Sequence, residues 1–384
     1  MIENPFHSFW MAGYECADHI NAFGNRVDLL SETGHLAALE TDYRDLGHFD
    51  IRTVREGVRW SQVERIPFHY DWGVVTHMIR QGRRLGIQQV WDLCHFGFPD
   101  DLTPLHPMFA RRFARFCRAF VLHYRSLEPD ACLIVTPINE VSFLSWLGGD
   151  VRGTVPFCVR QGWEVKYALM RAYIEGVYAM QEIDRHLRIM TTEPLVNIVP
   201  AAQSTYDQLI HAAQLHEQQF QSIDMLRGSL CPELGGSPQL ADILGFNYYA
   251  ANQWIADAGT VLPWTNDPPD ERWRPLSTLF NSVWQRYHLP MVLSETSHPG
   301  IDRPAWIHHI GEQVQIVQQQ GMPIWGVCLY PIIDRPDWDN LHHWHHSGLW
   351  DTAPGSNNAT TRILHEAYAT ALRQVQHQNG MASQ

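Results

Sequence analysis

Short apolar or β-branched runs recur along the chain, each giving way to a more polar stretch. They are SFWMAGY (8–14), RTVREGV (52–58), GIQQVWDLC (86–94), CLIVTP (132–137), LRIMTTE (187–193), ADILGFNYY (241–249), MVLSE (291–295) and IWGVCLY (324–330). Runs of this kind read as buried strands. Between them the period changes to 3.6. In MFARRFARFCRAFVLHYRSL (108–127), Phe109, Phe113, Phe116 and Phe120 share one helical face and Arg111, Arg112 and Arg115 the other. GWEVKYALMRAYIEGVYAMQEIDRHL (162–187) reads as a second long helix. Strand–helix alternation implies parallel strands joined by crossover helices. Eight such units predict an α/β fold, a single (β/α)8 TIM barrel. CPELGGSP (231–238) and LPWTNDPPDERWRP (262–275) are each followed by too few units for an independent domain, so they read as barrel loops. The expectation is one catalytic domain over 1–384, with the polar tail 376–384 disordered.

Composition narrows the class. The chain has 384 residues, 45% hydrophobic and 11% aromatic, enough for the large core of such a barrel. Charged residues are 18%, below the usual quarter, which argues against a disordered chain. The formal charge of −13, with no Lys/Arg-rich block, excludes nucleic acid as the expected partner. No apolar run is long enough to span a membrane, and MIENPFHSFW does not read as a signal peptide. Seven cysteines stand scattered without a CxxC pair, as reduced thiols do, and the expected compartment is the cytoplasm.

The candidate chemistry begins at LIVTPINEVSF (133–143), where a buried run ends on Asn139 and Glu140. An ionised carboxylate at the edge of a core is costly unless something compensates it. A lone Asn-Glu at a strand end most simply points into water. In a (β/α)8 barrel, however, residues at the C-terminal ends of strands ring the active site. The fourth run ends at Glu140 and the seventh at Glu295, in MVLSETS. Two carboxylates on opposite sides of one barrel mouth point to acid–base chemistry.

On these residues the chain resembles glycoside hydrolase family 1, the retaining β-glycosidases, from about Phe9 to Asp351. TPINE (136–140) is similar to the acid/base motif T-x-N-E-P, and SETS (294–297) to the nucleophile motif T-E-N-G. WDLCHFGFPDDL (91–102) resembles the stretch after strand 3 and puts His95 on the family histidine. VREGVRWSQV (54–63) puts Arg55 on the arginine below the nucleophile, and GFNYY (245–249) aligns Asn247 and Tyr249 with site positions. GVCLYPIIDRPDW (326–338) resembles the strand-8 motif, with Tyr330 at the tryptophan platform, Asp337 for the sugar-binding glutamate, and Trp338. His19 stands for the N-terminal glutamine, Val141 for the proline after the acid/base, and Thr-Ser for Asn-Gly after the nucleophile. These departures bear on which sugar is accepted.

The resemblance implies a retaining exo-β-glycosidase, β-glucosidase-like, acting on a small glycoside or an oligosaccharide without cofactor or metal. Its two carboxyls, roughly 5–5.5 Å apart, pass through a covalent glycosyl-enzyme. One must rest protonated and the other ionised. Arg55 and Tyr249 beside Glu295 favour its charged form; Glu140, next to Val141 and Phe143, is the expected acid/base. Asn139, Asn247, His95, His19 and Asp337 offer partners for hydroxyls, and Tyr330 and Trp338 flat faces for a pyranose. Glu193, ending the fifth run, reads as a loop-ordering carboxylate. LHHWHHSG (341–348) lacks the ligand spacing usual for zinc and reads as a loop lining the site entrance or a polar surface. The rival readings are a transglycosylase with the same carboxylate pair and a carbohydrate-binding barrel without turnover.

Overall fold

The computed structural model of the chain describes residues 3–354 and 360–378. All eight expected strands form: β1 (Trp10–Gly13), β2 (Thr53–Gly57), β3 (Gln88–Cys94), β4 (Ile134–Ile138), β5 (Arg188–Pro194), β6 (Ile243–Asn247), β7 (Met291–Thr296) and β8 (Ile324–Leu329). Each pairs in parallel with the next, and β8 returns to β1, with Trp10 opposite Val327, to close the barrel.

Two apolar layers hold it. Inside the barrel, Met11, Val90, Ile134, Met190, Ile243, Val292 and Cys328 supply one residue from every strand except β2. From β2 it is Arg55 that reaches across, to Asp92 on β3 and Glu295 on β7. Outside, the strands pack against helices. Phe109, Phe113, Phe116 and Phe120 of the helix Phe109–Leu127 are all buried, and Trp60 stacks on Phe116 at 5.4 Å. Burying one such ring is worth about 1.5–3 kcal/mol.

The helical readings need two corrections. Arg112 does not lie on the solvent face; it is buried, and its guanidinium pairs with Glu64 at 3.1 Å and Asp101 at 2.6 Å. The second long helix stops at Gln181, well short of Leu187. There the Asp184 carboxylate accepts from the His186 amide at 2.8 Å and binds Arg125, so a side chain takes up a backbone donor and ends the helix.

Two small sheets escape the run pattern because their strands are short or late: Asn197–Val199 with Gln253–Ile255, parallel, and Trp350–Pro354 with Thr360–Leu364, antiparallel. The stretch 231–238 precedes β6, and 262–275 precedes the helix Leu276–Tyr287, both as connections. Of the polar tail, 376–378 close the helix Glu366–Gln378, and 379–384 lie outside the described residues. Among the described residues no helix is long and apolar enough to cross a membrane.

Candidate active site

A cavity of about 760 Å³ opens where the strands end, a volume suited to a small organic ligand. Its inner wall carries Glu15 after β1, His95 after β3, Glu140 after β4, Tyr249 after β6, Glu295 on β7 and Tyr330 after β8. Gly13 makes the floor possible, since a Cβ there would stand 2.1 Å from the Tyr330 ring.

The two glutamates are held differently. Glu295 accepts from Arg55 Nη1 at 2.9 Å and from the Tyr249 hydroxyl at 2.8 Å. Glu140 accepts one hydrogen bond from a side chain, that of Asn247 Nδ2 at 2.8 Å. Its backbone is left-handed, with φ +45°, directly before the helix Val141–Gly149, and its N–H donates to the Thr192 carbonyl. A non-glycine residue in that region stores strain, which persists only where the surroundings enforce it.

Burial pushes both carboxyls above the usual carboxylate range. For Glu140 the neighbouring charge of Glu295 adds to burial and the Asn247 amide offsets only part, so its carboxyl is raised well above normal. At Glu295 burial is opposed by Arg55, His95 and the Tyr249 hydroxyl. When one proton is shared between them, it belongs on Glu140.

Beneath the glutamates lies a charged lattice. Arg55 Nη2 donates to Asp92 Oδ2 at 2.6 Å and to Asn139 Oδ1 at 3.1 Å, and the guanidinium lies 5.0 Å from the Tyr330 ring centroid. Asp92 also faces His95 Nδ1 at 3.0 Å. Burial would raise Asp92 and lower His95, but Arg55 holds Asp92 below its ordinary value, and Asp92 with Glu15 raises His95. Asn247 joins the lattice by accepting from Ser294 Oγ at 2.7 Å.

The sequence-derived residues fall into three groups. Glu140, Glu295, His95, Tyr249, Tyr330 and Trp338 line the cavity. Arg55, Asn139 and Asn247 are fully buried and reach the lining residues through the bonds just given. His19 and Asp337 do not line it. His19 packs behind Trp338, ring centroids 4.7 Å apart, and burial lowers it to about 3, so it is neutral. Asp337 spends its carboxylate on the Asp339 and Asn340 amides, at 2.9 and 3.0 Å, and on His345 at 3.3 Å. Glu15 is the residue that the pattern passed over: its carboxylate meets Arg335 Nε at 3.1 Å, the Ala17 amide at 3.2 Å and the Tyr330 hydroxyl at 3.4 Å. It sits two residues past β1, the same strand-end position that singled out Glu140. Glu193 accepts from the Ser142 amide at 3.2 Å, at the start of the helix after Glu140, and so orders that turn.

Among the described residues two groups bring three metal-type ligand atoms together: Cys16, Asp92 and His95, and Asp334, His346 and Asp351. In the first, Asp92 is already paired with Arg55. In the second, Arg303 lies 2.8 Å from Asp351, and His346 stands 3.4 Å from Asp334. Each thus already carries a cation against its acids.

No protein-family model and no curated protein matches this sequence. Solved structures do match its fold. A β-glucosidase from Thermotoga maritima in complex with glucoimidazole gives a TM-score of 0.76 at 13% identity, over 100% of this chain and 99% of that one. A family 1 β-glucosidase from Thermotoga maritima gives 0.75 at 14%, over 100% of both chains. A β-glucosidase from Exiguobacterium marinum gives 0.72 at 13%, over 98% and 99%. At every strand and along its whole length, the chain has the barrel fold of these β-glucosidases.

Proposed function

We propose that the protein is a retaining exo-β-glycosidase, β-glucosidase-like, acting as one catalytic domain in a reducing, cytoplasmic setting. The observation that supports it most is the unequal support of two carboxyls in one cavity. Glu295 has a guanidinium and a phenol hydroxyl on its oxygens; Glu140 has one amide. Glu140 therefore gives its proton to the glycosidic oxygen while a Glu295 oxygen attacks the anomeric carbon, and the C–O bond to the leaving group breaks. Glu140, now ionised, takes a proton from water, which attacks the same carbon and releases Glu295. Arg55 holds the nucleophile's orientation by also binding the Ser294 carbonyl at 2.8 Å. His95 holds the hydroxyl side of the sugar, with Glu15 accepting from two hydroxyls in place of Asp337, while Asn139 and Asn247 behind the wall orient His95 and Glu140. Tyr330 and Trp338 offer ring faces.

Hydrolysis of an aryl β-glycoside followed by proton NMR tests this. The β-anomer should appear first. First appearance of the α-anomer would remove the double displacement, and no phenol release from gluco, galacto, fuco, xylo, manno or glucurono substrates would remove the hydrolase.

A further inference from the structure

Lysine occurs once in this chain. Of its 28 Lys and Arg residues one is a lysine, Lys166, and it stands on the wall of the candidate active site. It belongs to the helix Gly162–Gln181 and is buried. Its ammonium donates to Gln221 Oε1 at 2.9 Å and to the Gln218 carbonyl at 3.5 Å, both neutral acceptors. No ion pair among the described residues includes it. A buried cation on neutral partners is costly unless nearby charge compensates it. The carboxylates whose charge reaches it are Glu193, near the end of β5, and Asp150. A compact ammonium fits two single acceptors, where a planar guanidinium would find no bidentate partner.

Glu193 in turn grips the turn that carries Glu140. The Thr192 carbonyl accepts from the Glu140 amide at 2.8 Å, and Glu193 Oε2 accepts from the Ser142 amide at 3.2 Å. One bond thus lies before Val141 and one after it, and together they hold the left-handed backbone of Glu140. From the other side the helix Gln221–Leu226 offers two neighbouring side chains: Gln221 holds Lys166, and Ser222 Oγ meets Ser142 Oγ at 3.1 Å. Burial raises the Glu193 carboxyl, and the contacts with Ser142, Lys166 and Ser222 oppose that rise. Glu140 is faced by the charges of Glu193 from β5, Glu295 from β7 and Arg55 from β2. Glu193 is faced by Glu140 and, from the helix Gly162–Gln181, by Lys166 and the Tyr173 phenol.

We propose that Lys166 and Glu193 are positioning residues for the acid/base: Lys166 keeps Glu193 ionised, and the ionised Glu193 fixes the Glu140 turn and keeps the proton on Glu140. This rests on the glycosidase reading, in which Glu140 is the acid. The single lysine makes the test direct, because 15N-labelled lysine gives one side-chain signal whose titration is that of Lys166. In Glu193→Gln the Lys166 pKa should fall, since the carboxylate that favours the ammonium is gone. In the same variant the alkaline limb of kcat/KM should move down by roughly 0.5–1 unit, as Glu140 loses a like charge beside it. Lys166→Met should move that limb in the same direction, because Glu193 then takes up a proton. Added to Glu193→Gln, it should move the limb no further. Lys166→Arg, which keeps the charge, should return the limb toward the parent's. If Glu193→Gln does not fold, the contrast between Lys166→Met and Lys166→Arg carries the test.

A Lys166 pKa unmoved by Glu193→Gln, an alkaline limb unmoved by Lys166→Met, or limb shifts that simply add would overturn the positioning role while leaving hydrolysis standing. A Lys166 pKa that falls in Glu193→Gln, in a protein that turns over no glycoside, would keep the Lys166–Glu193 pair and remove the glycosidase reading instead.

Discussion

Glu140 and Glu295 differ in what touches them, and each contact governs one limb of a pH profile. In the proposed mechanism Glu140 must carry a proton and Glu295 must not. Turnover then falls at high pH as Glu140 ionises and at low pH as Glu295 takes up a proton. Asn247 donates to the Glu140 carboxyl and so favours its charged form. Asn247→Ala should raise that pKa further and move the alkaline limb of kcat/KM to higher pH. Tyr249→Phe removes a donor to Glu295, which should move the acid limb upward and lower kcat/KM by about 10- to 100-fold, the worth of a hydrogen bond to a charged group. A profile unmoved by both changes would take the two carboxyls out of the chemistry. At this scale the sequence was only partly legible. Glu140 and Glu295 stand where short apolar runs end, and that position marked them. Glu15 carries the same mark, two residues past β1, but no motif around GYEC drew attention to it; Asp92 carries none, since it lies inside β3 with its carboxylate turned to Arg55. His19 and Asp337 were drawn to the site by motif position, while packing against Trp338 and a local turn hold them elsewhere.

Elements far from the cavity are tied by a second buried charge cluster. His35, on the helix His35–Asp45, faces Asp42 at 2.7 Å and Glu56 of β2 at 3.0 Å, stacked 3.6 Å from the Tyr14 ring. Arg362, on the strand Thr360–Leu364, pairs with Asp42 at 2.8 Å. Burial alone would lower the His35 pKa, but Glu56 and Asp42 outweigh it and raise it to about 9. The unfolded value is 6.5, so the folded state holds the proton more tightly. Its stabilisation is complete below pH 6.5 and is lost as pH rises through about 9. At about 1.4 kcal/mol per pKa unit this comes to about 3.5 kcal/mol, and His35→Gln should cost about 3–5 kcal/mol at pH 6 by leaving buried acids without their cation. Urea unfolding at pH 6 and pH 9.5 checks both; a variant as pH-sensitive as the parent would remove His35 as the cause. The sheet of which Arg362 is part left little trace in the run pattern, whereas the barrel strands were legible because burial on both faces makes most of their residues apolar, charged exceptions such as Arg55 and Asp92 aside. The buried Arg112 was misread for the opposite reason: its neutralising acids, Glu64 and Asp101, come from other parts of the chain.

Across the whole molecule, the histidine-rich loop after β8 turns its rings onto acids: His345 Nε2 stands 3.3 Å from Asp337 and His346 Nδ1 3.4 Å from Asp334. Because Arg303 already supplies positive charge to Asp351, a strong chelator should leave both turnover and the unfolding temperature unchanged. Loss of either that zinc or manganese restores would place an ion in that loop. The barrel's closure has a further consequence, for the order in which the molecule is made. The seam lies between β1, near the start of the chain, and β8, more than 300 residues later. Until β8 leaves the ribosome, β1 has one unsatisfied edge and Arg55 has no closed wall around it. Glu295 itself follows Glu140 by 155 residues. The proposed carboxyl pair therefore cannot form in a nascent fragment that ends before β7, and a contact so remote in sequence makes folding slow and the half-made barrel an open edge that other chains can join.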